Sequence, residues 1–154
     1  MTEAATGPAR GRLGFPLLIL ALAGVLIAGY LAVVRLTGGS AVCDASHGCE
    51  VVATSPYALL LGIPVAYLGL GYALLLSGLA AAWWWRADRR ALAGAYALLL
   101  LGTLFVAYLT YLELFVIDAV CIWCASFAIT IVAGLVVAAM AQRGSAAPPG
   151  PGGA

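Results

Sequence analysis

The residues able to do chemistry in this chain are its four cysteines, and they fall into two pairs: Cys43 with Cys49, and Cys121-Ile122-Trp123-Cys124. A pair of thiols can staple a loop, hold a metal or carry electrons by disulfide exchange. As a staple, the short Cys43–Cys49 loop would contribute about 2–2.5 kcal/mol in the chain-entropy model. Zinc is poorly served, because five residues separate the loop pair where two to four are usual. Electron transfer suits the second pair well. Positions i and i+3 share a helix face, so both sulfurs can serve one site. The unpaired amides of a helix N-terminus favour a thiolate. With Asp118 as N-cap, Cys121 falls near the third helical position, and Cys124 lies about six residues in, or roughly 9 Å at the usual rise. The charge of Asp118 opposes the effect of the helix end.

The elements that must position these thiols are membrane spans. Of 154 residues, 65% are hydrophobic and 8% charged, too few charges to cover a water-soluble fold of this size. A net charge of +1 argues against a nucleic-acid partner. Four uncharged stretches reach the roughly 20 residues of a bilayer crossing: Leu13–Val34, Tyr57–Trp85, Ala91–Leu112 and Ala119–Gln142. Lipid leaves open strands without backbone partners, so helices are expected. The expected fold is an all-α integral membrane bundle of four transmembrane helices with a short surface helix in the first outer loop. Residues 13–142 form the membrane domain; residues 1–12 and the Gly/Pro-rich 143–154 are expected to be disordered and cytoplasmic. Arg10, Arg12, Arg86, Arg89, Arg90 and Arg143 fall on one side and only Arg35 on the other. By the positive-inside rule both termini are then cytoplasmic, and all four cysteines lie on the outer side of the cell membrane, where disulfides persist. Trp83, Trp84 and Trp85 are expected as an aromatic anchor at the inner interface.

Between the first two spans, Cys49–Ser55 reads as a short helix on the membrane surface, with Val51 and Val52 facing lipid or a pocket. Ser55-Pro56 ends it. Gly62-Ile63-Pro64 follows, and a proline inside the second span would kink it. The kink either relieves packing strain or opens a pocket beneath the loop. Ser55 could donate to a ligand oxygen or merely close the surface helix. Tyr108 and Tyr111 could line the pocket or belong to the interfacial belt. His47 could lower a loop thiol's pKa or simply be solvated. Gly69, Gly71, Gly94 and Gly102 are candidate helix-contact positions.

The order of these features resembles the vitamin K epoxide reductase family in its bacterial branch. The matching stretches are Leu36-Thr37-Gly38-Gly39 through Cys43 and Cys49, then Ser55, then Gly62-Ile63-Pro64-Val65-Ala66-Tyr67-Leu68-Gly69, then Cys121-Ile122-Trp123-Cys124. Together they span most of residues 13–142. Quinone-linked periplasmic disulfide oxidases do similar chemistry, but carry their Cys-x-x-Cys before the other pair. The resemblance implies a relay. A thioredoxin-like (DsbA-like) thiol oxidase, separate because the chain ends in a Gly/Pro tail, would reduce the Cys43–Cys49 disulfide. Cys49 would meet that partner, Cys43 would hand electrons to Cys121, and Cys124 would face a membrane quinone of the ubiquinone or menaquinone (vitamin K) type. Ser55, Val52, Pro64 and Tyr108 are the expected quinone-pocket residues beside Cys124. The tyrosine that follows Cys-x-x-Cys by one turn in vertebrate members is Ala128 here, a departure that leaves its hydrogen bond to the quinone oxygen, and epoxide reduction, open questions. Two other readings remain: an enzyme that recycles vitamin K epoxide or quinone for its own sake, and a non-catalytic membrane scaffold with structural disulfides.

Overall fold

The computed structural model describes residues 7–43 and 48–146. Asp44 and His47 lie outside the described residues. Among those described, four helices are long and apolar enough to cross a membrane: α1 (Gly7–Thr37), α3 (Val65–Arg86), α4 (Arg89–Leu112) and α5 (Ile122–Ala146). A short helix, α2 (Gly48–Thr54), sits in the first connection. The architecture is therefore the all-α four-helix membrane bundle expected from hydropathy. α1 packs on α3 and α5, and α4 packs on the same two, so the four form a closed ring in the order α1, α3, α4, α5.

The interior is built from small residues. Ala21, Ala73, Ala80, Ala95, Ala138 and Ala141 are buried around Leu17, Leu92 and Leu99, while Leu26, Leu104 and Phe115 point outward. That inversion is what a bundle in lipid requires. Apolar side chains gain nothing by leaving an apolar solvent, so close backbone approach supplies the packing. Gly102 marks one such approach: a Cβ there would run into the Tyr72 ring, and the Tyr72 hydroxyl donates to the Leu98 carbonyl at 3.0 Å. Gly69 and Gly94 also face neighbouring side chains across helix contacts, but Gly71 faces open space. Trp83 is not an interfacial anchor but part of the core, at 4% exposure. Trp84 packs edge-on against Phe15, and Trp85 is exposed.

The second span differs from its expectation. Pro64 kinks nothing, because no helix precedes it. Pro56–Ala58 make one tight helical turn. Leu59–Leu60 (β1) and Ile63–Pro64 (β2) then pair as a minimal antiparallel hairpin. Its two turn residues, Leu61 and Gly62, both have positive φ, the conformation that two-residue hairpins favour. Pro64 is the N-cap of α3, where its missing N–H costs no helical hydrogen bond. The span therefore starts at Val65 rather than Tyr57, and an apolar hairpin stands in front of it with Leu61 almost fully exposed.

Helix ends bring the chemistry to one end of the ring. α1 stops at Gly38, which takes the left-handed conformation. At the far end α3 stops at left-handed Ala87, whose N–H bonds to the Trp83 carbonyl, and Asp88 caps α4 by accepting from the Arg90 N–H. α4 does not end cleanly. It widens into a single π turn over Glu113–Ile117, closed by left-handed Asp118. Such turns recur at functional sites.

Candidate active site

The loop pair comes first. Cys43 and Cys49 are joined as a disulfide with Cα atoms 6.1 Å apart. Cys49 is buried and Cys43 only half-buried. Gly48 explains the burial: its backbone lies against Val120, the residue before Cys121, so closely that any Cβ would run into the Val120 carbonyl. Only glycine lets α2 dock there, and docking brings Cys49 to the start of α5. Three side chains fix the loop around this contact. Tyr30 Oη accepts from the Val42 N–H at 2.9 Å. Trp123 Nε1 donates to the Val42 carbonyl at 2.9 Å, and the two rings pack with centroids 4.5 Å apart. Arg35 Nη1 donates to the Ala53 carbonyl at 2.9 Å and ties the far end of α2 to α1. Ser55 Oγ donates to the Val52 carbonyl at 2.7 Å, so its proton closes α2 while its lone pairs stay available.

The Cys-x-x-Cys pair follows, one step further out than expected. α5 begins at Ile122, and the Cys121 carbonyl accepts from the Ala125 N–H. Cys121 is thus the N-cap, and Cys124 is the third helical residue rather than about the sixth. Asp118 caps nothing on α5; it turns the chain out of the π turn in a left-handed conformation that aspartate tolerates. The two thiols lie within hydrogen-bonding reach of each other, and the Cys124 S–H pulls the Cys121 thiol down to about 7 against the opposing effect of burial.

Beside them stands a residue the spacing did not single out. Glu113, first residue of the π turn, is 5% exposed. Its carboxylate lies in reach of the Cys121 backbone N–H and of Cys124 Sγ.

Under α2 lies a cavity of about 740 Å³. Cys49, Cys121 and Cys124 line it, with Glu113, Ser55, Val52 and Pro64. Val51 is exposed on the other face of α2. Tyr108 does not line the cavity. Phe105, Val106, Leu109 and Leu112 present the inner face of α4, and helical spacing turns Tyr108 and Tyr111 outward, where both are exposed. Tyr72 of α3 lines the cavity instead, as does Ala128. Cys43 is not part of the lining; the loop cysteine that shares the cavity with Cys121 is Cys49. The volume, the apolar walls and a few convergent polar groups suit a flat apolar ring with polar oxygens.

A small-residue helical bundle with a cysteine-lined cavity at one end defines a multi-pass membrane protein built around thiols. The model of the vitamin K epoxide reductase family matches residues 15–139, and the chain belongs to this family. Membership brings with it a quinone-linked thiol redox function.

Proposed function

We propose that this protein is a quinone-dependent thiol–disulfide oxidoreductase that draws electrons from an extracytoplasmic thioredoxin-like partner. The observation that carries the reading is that Cys49, Cys121 and Cys124 share one apolar cavity while Cys43, bonded to Cys49, is half-buried and outside its lining. A partner thiolate attacks Cys43 Sγ and releases Cys49 as a thiolate. Cys49 attacks Cys121 in the Cys121–Cys124 disulfide, and the sulfur of Cys124 leaves with the electron pair. The partner's second thiol then frees Cys43 and departs oxidised. Cys43 attacks Cys49, restores the loop disulfide and releases Cys121. The net result is one disulfide made in the partner and one dithiol left at Cys121 and Cys124. A quinone bound in the cavity supplies the two-electron sink that restores the Cys121–Cys124 disulfide. Val52 and Pro64 would hold its ring, the oxygen of Ser55 stands at the cavity edge, and α2 with its Val42 clamp keeps water from the exchange.

The test is purified protein in detergent, given a reduced thioredoxin-like protein and a short-chain quinone. Quinol formation that depends on all four cysteines is the expected result. Quinol formation unchanged by Cys121→Ser and Cys124→Ser together would leave the cysteines structural.

A further inference from the structure

Glu113 is the most conspicuous group the relay does not use. A carboxylate buried at the edge of a membrane domain is costly unless partnered, and ionisable groups in such places mark proton paths. Its partners here are chosen. It lies beside the start of α5, within reach of the Cys121 N–H and of Cys124 Sγ, and lines the same cavity as both cysteines. It does so from α4, through the π turn that brings its side chain inward. The cavity around it also presents Arg35 from α1, Glu50 from α2 and Tyr72 from α3.

The relay needs a proton carrier at this point. When Cys121 and Cys124 return to a disulfide, two S–H bonds break, one S–S bond forms, and two electrons and two protons leave. The quinone receives both, each of its carbonyl oxygens ending as a hydroxyl. The electrons pass through the sulfur of Cys124, which is part-exposed on the cavity wall, and the carboxylate within reach of its proton is Glu113. We propose that Glu113 is that carrier. Its carboxylate accepts the proton of Cys124 as the pair is oxidised and delivers it to one quinone oxygen; reprotonated by a proton that the partner's thiols release, it returns one to Cys124 when Cys49 displaces that sulfur. The Cys121 proton goes to solvent at the outer end of α5, and the second quinone oxygen takes one from solvent in its place. The proposal rests on the relay reading, in which Cys124 faces the quinone.

Glu113→Gln separates this role from helix capping, because the amide oxygen can still accept the Cys121 N–H but cannot carry a proton. Two readouts are taken on the whole protein. One is the alkylation rate of Cys124 in reduced, quinone-free protein, with the labelled residue identified by mass spectrometry. The other is single-turnover reduction of a short-chain quinone. The expected result for Glu113→Gln is Cys124 alkylation as fast as in the unaltered protein or faster, since a neighbouring negative charge is gone. Quinone reduction should be slowed about 100-fold, the lower range for loss of a general acid–base group, with partial recovery in Glu113→Asp. Quinone reduction within about threefold of the unaltered protein would overturn the proposal. So would loss of the loop disulfide or of Cys124 alkylation together with turnover, which makes Glu113 a cap only. If the unaltered protein reduces no quinone, the relay itself falls and this proposal falls with it. An active parent beside an equally active Glu113→Gln removes Glu113 alone.

Discussion

At the scale of residues, the two loop cysteines are not interchangeable. Cys49 and Cys121 are buried and share the cavity with half-buried Cys124, and Cys43 lies outside its lining. Cys43→Ser should therefore accumulate a Cys49–Cys121 disulfide, visible by mass spectrometry after digestion, while Cys49→Ser should instead trap a mixed disulfide between Cys43 and the thioredoxin-like partner. A Cys43–Cys121 bond as the main product in Cys49→Ser would reverse this order. Cys121 also carries a pH signature. Its thiol is lowered to about 7 by the hydrogen bond from Cys124, so its thiolate fills as pH rises through that value. Alkylation of Cys121 in reduced protein should rise half-maximally near there, and Cys124→Ala should move the rise upward, toward an ordinary thiol at about 8.5. An unshifted profile would mean that the thiol pair is not coupled. The cysteines were legible in the sequence because sulfur in pairs has few uses. Glu113 was not. In the sequence it is one more acid near the outer end of a span, and its burial depends on a π turn and on a helix starting nine residues later that no local pattern foretells.

Helix α2 and its tethers act at the scale of elements. Tyr30 and Trp123 hold both backbone groups of Val42, one residue from Cys43. Tyr30→Phe keeps the ring packing and removes the acceptor for the Val42 N–H. The loss of one neutral hydrogen bond, about 1 kcal/mol, should slow partner-driven turnover several-fold and spare turnover driven by a small membrane-permeant dithiol. Equal slowing with both reductants would show that the clamp does not serve the loop. Gly48→Val should do more, because a side chain against the Val120 carbonyl forces α2 off α5; transfer from the loop pair to Cys121 should be nearly abolished. The surface helix itself was readable from its short run between the loop and Ser55-Pro56, and Val52 lines the cavity beneath it, one of the two settings its apolar side chain allowed. The hairpin at Leu59–Pro64 was hidden for a physical reason. Hydropathy registers only that these residues are apolar, and a proline there fits a kinked helix as well as a strand end. The positive φ values at Leu61 and Gly62 decide the matter, and they are set by the chain's need to reverse before α3.

The whole molecule was the most legible scale, because a bilayer leaves so few solutions: four apolar runs of sufficient length must be helices, and their small residues must face inward. By the positive-inside rule we propose from the arginine asymmetry an orientation with both termini cytoplasmic and the cysteine end outside. A cysteine placed at position 88 on a cysteine-free background should then be shielded from an impermeant thiol reagent in intact cells and labelled after permeabilisation; labelling in intact cells would invert the topology. The central claim is that the two cysteine pairs form one electron path to a quinone. An anaerobic titration of fully reduced protein with a short-chain quinone tests it most directly. Four thiols hold four electrons, so the account predicts that two equivalents of quinone are consumed and that both disulfides, Cys121–Cys124 and Cys43–Cys49, appear, with no quinone consumed by Cys124→Ser. Consumption of a single equivalent with Cys43 and Cys49 left as thiols would contradict it.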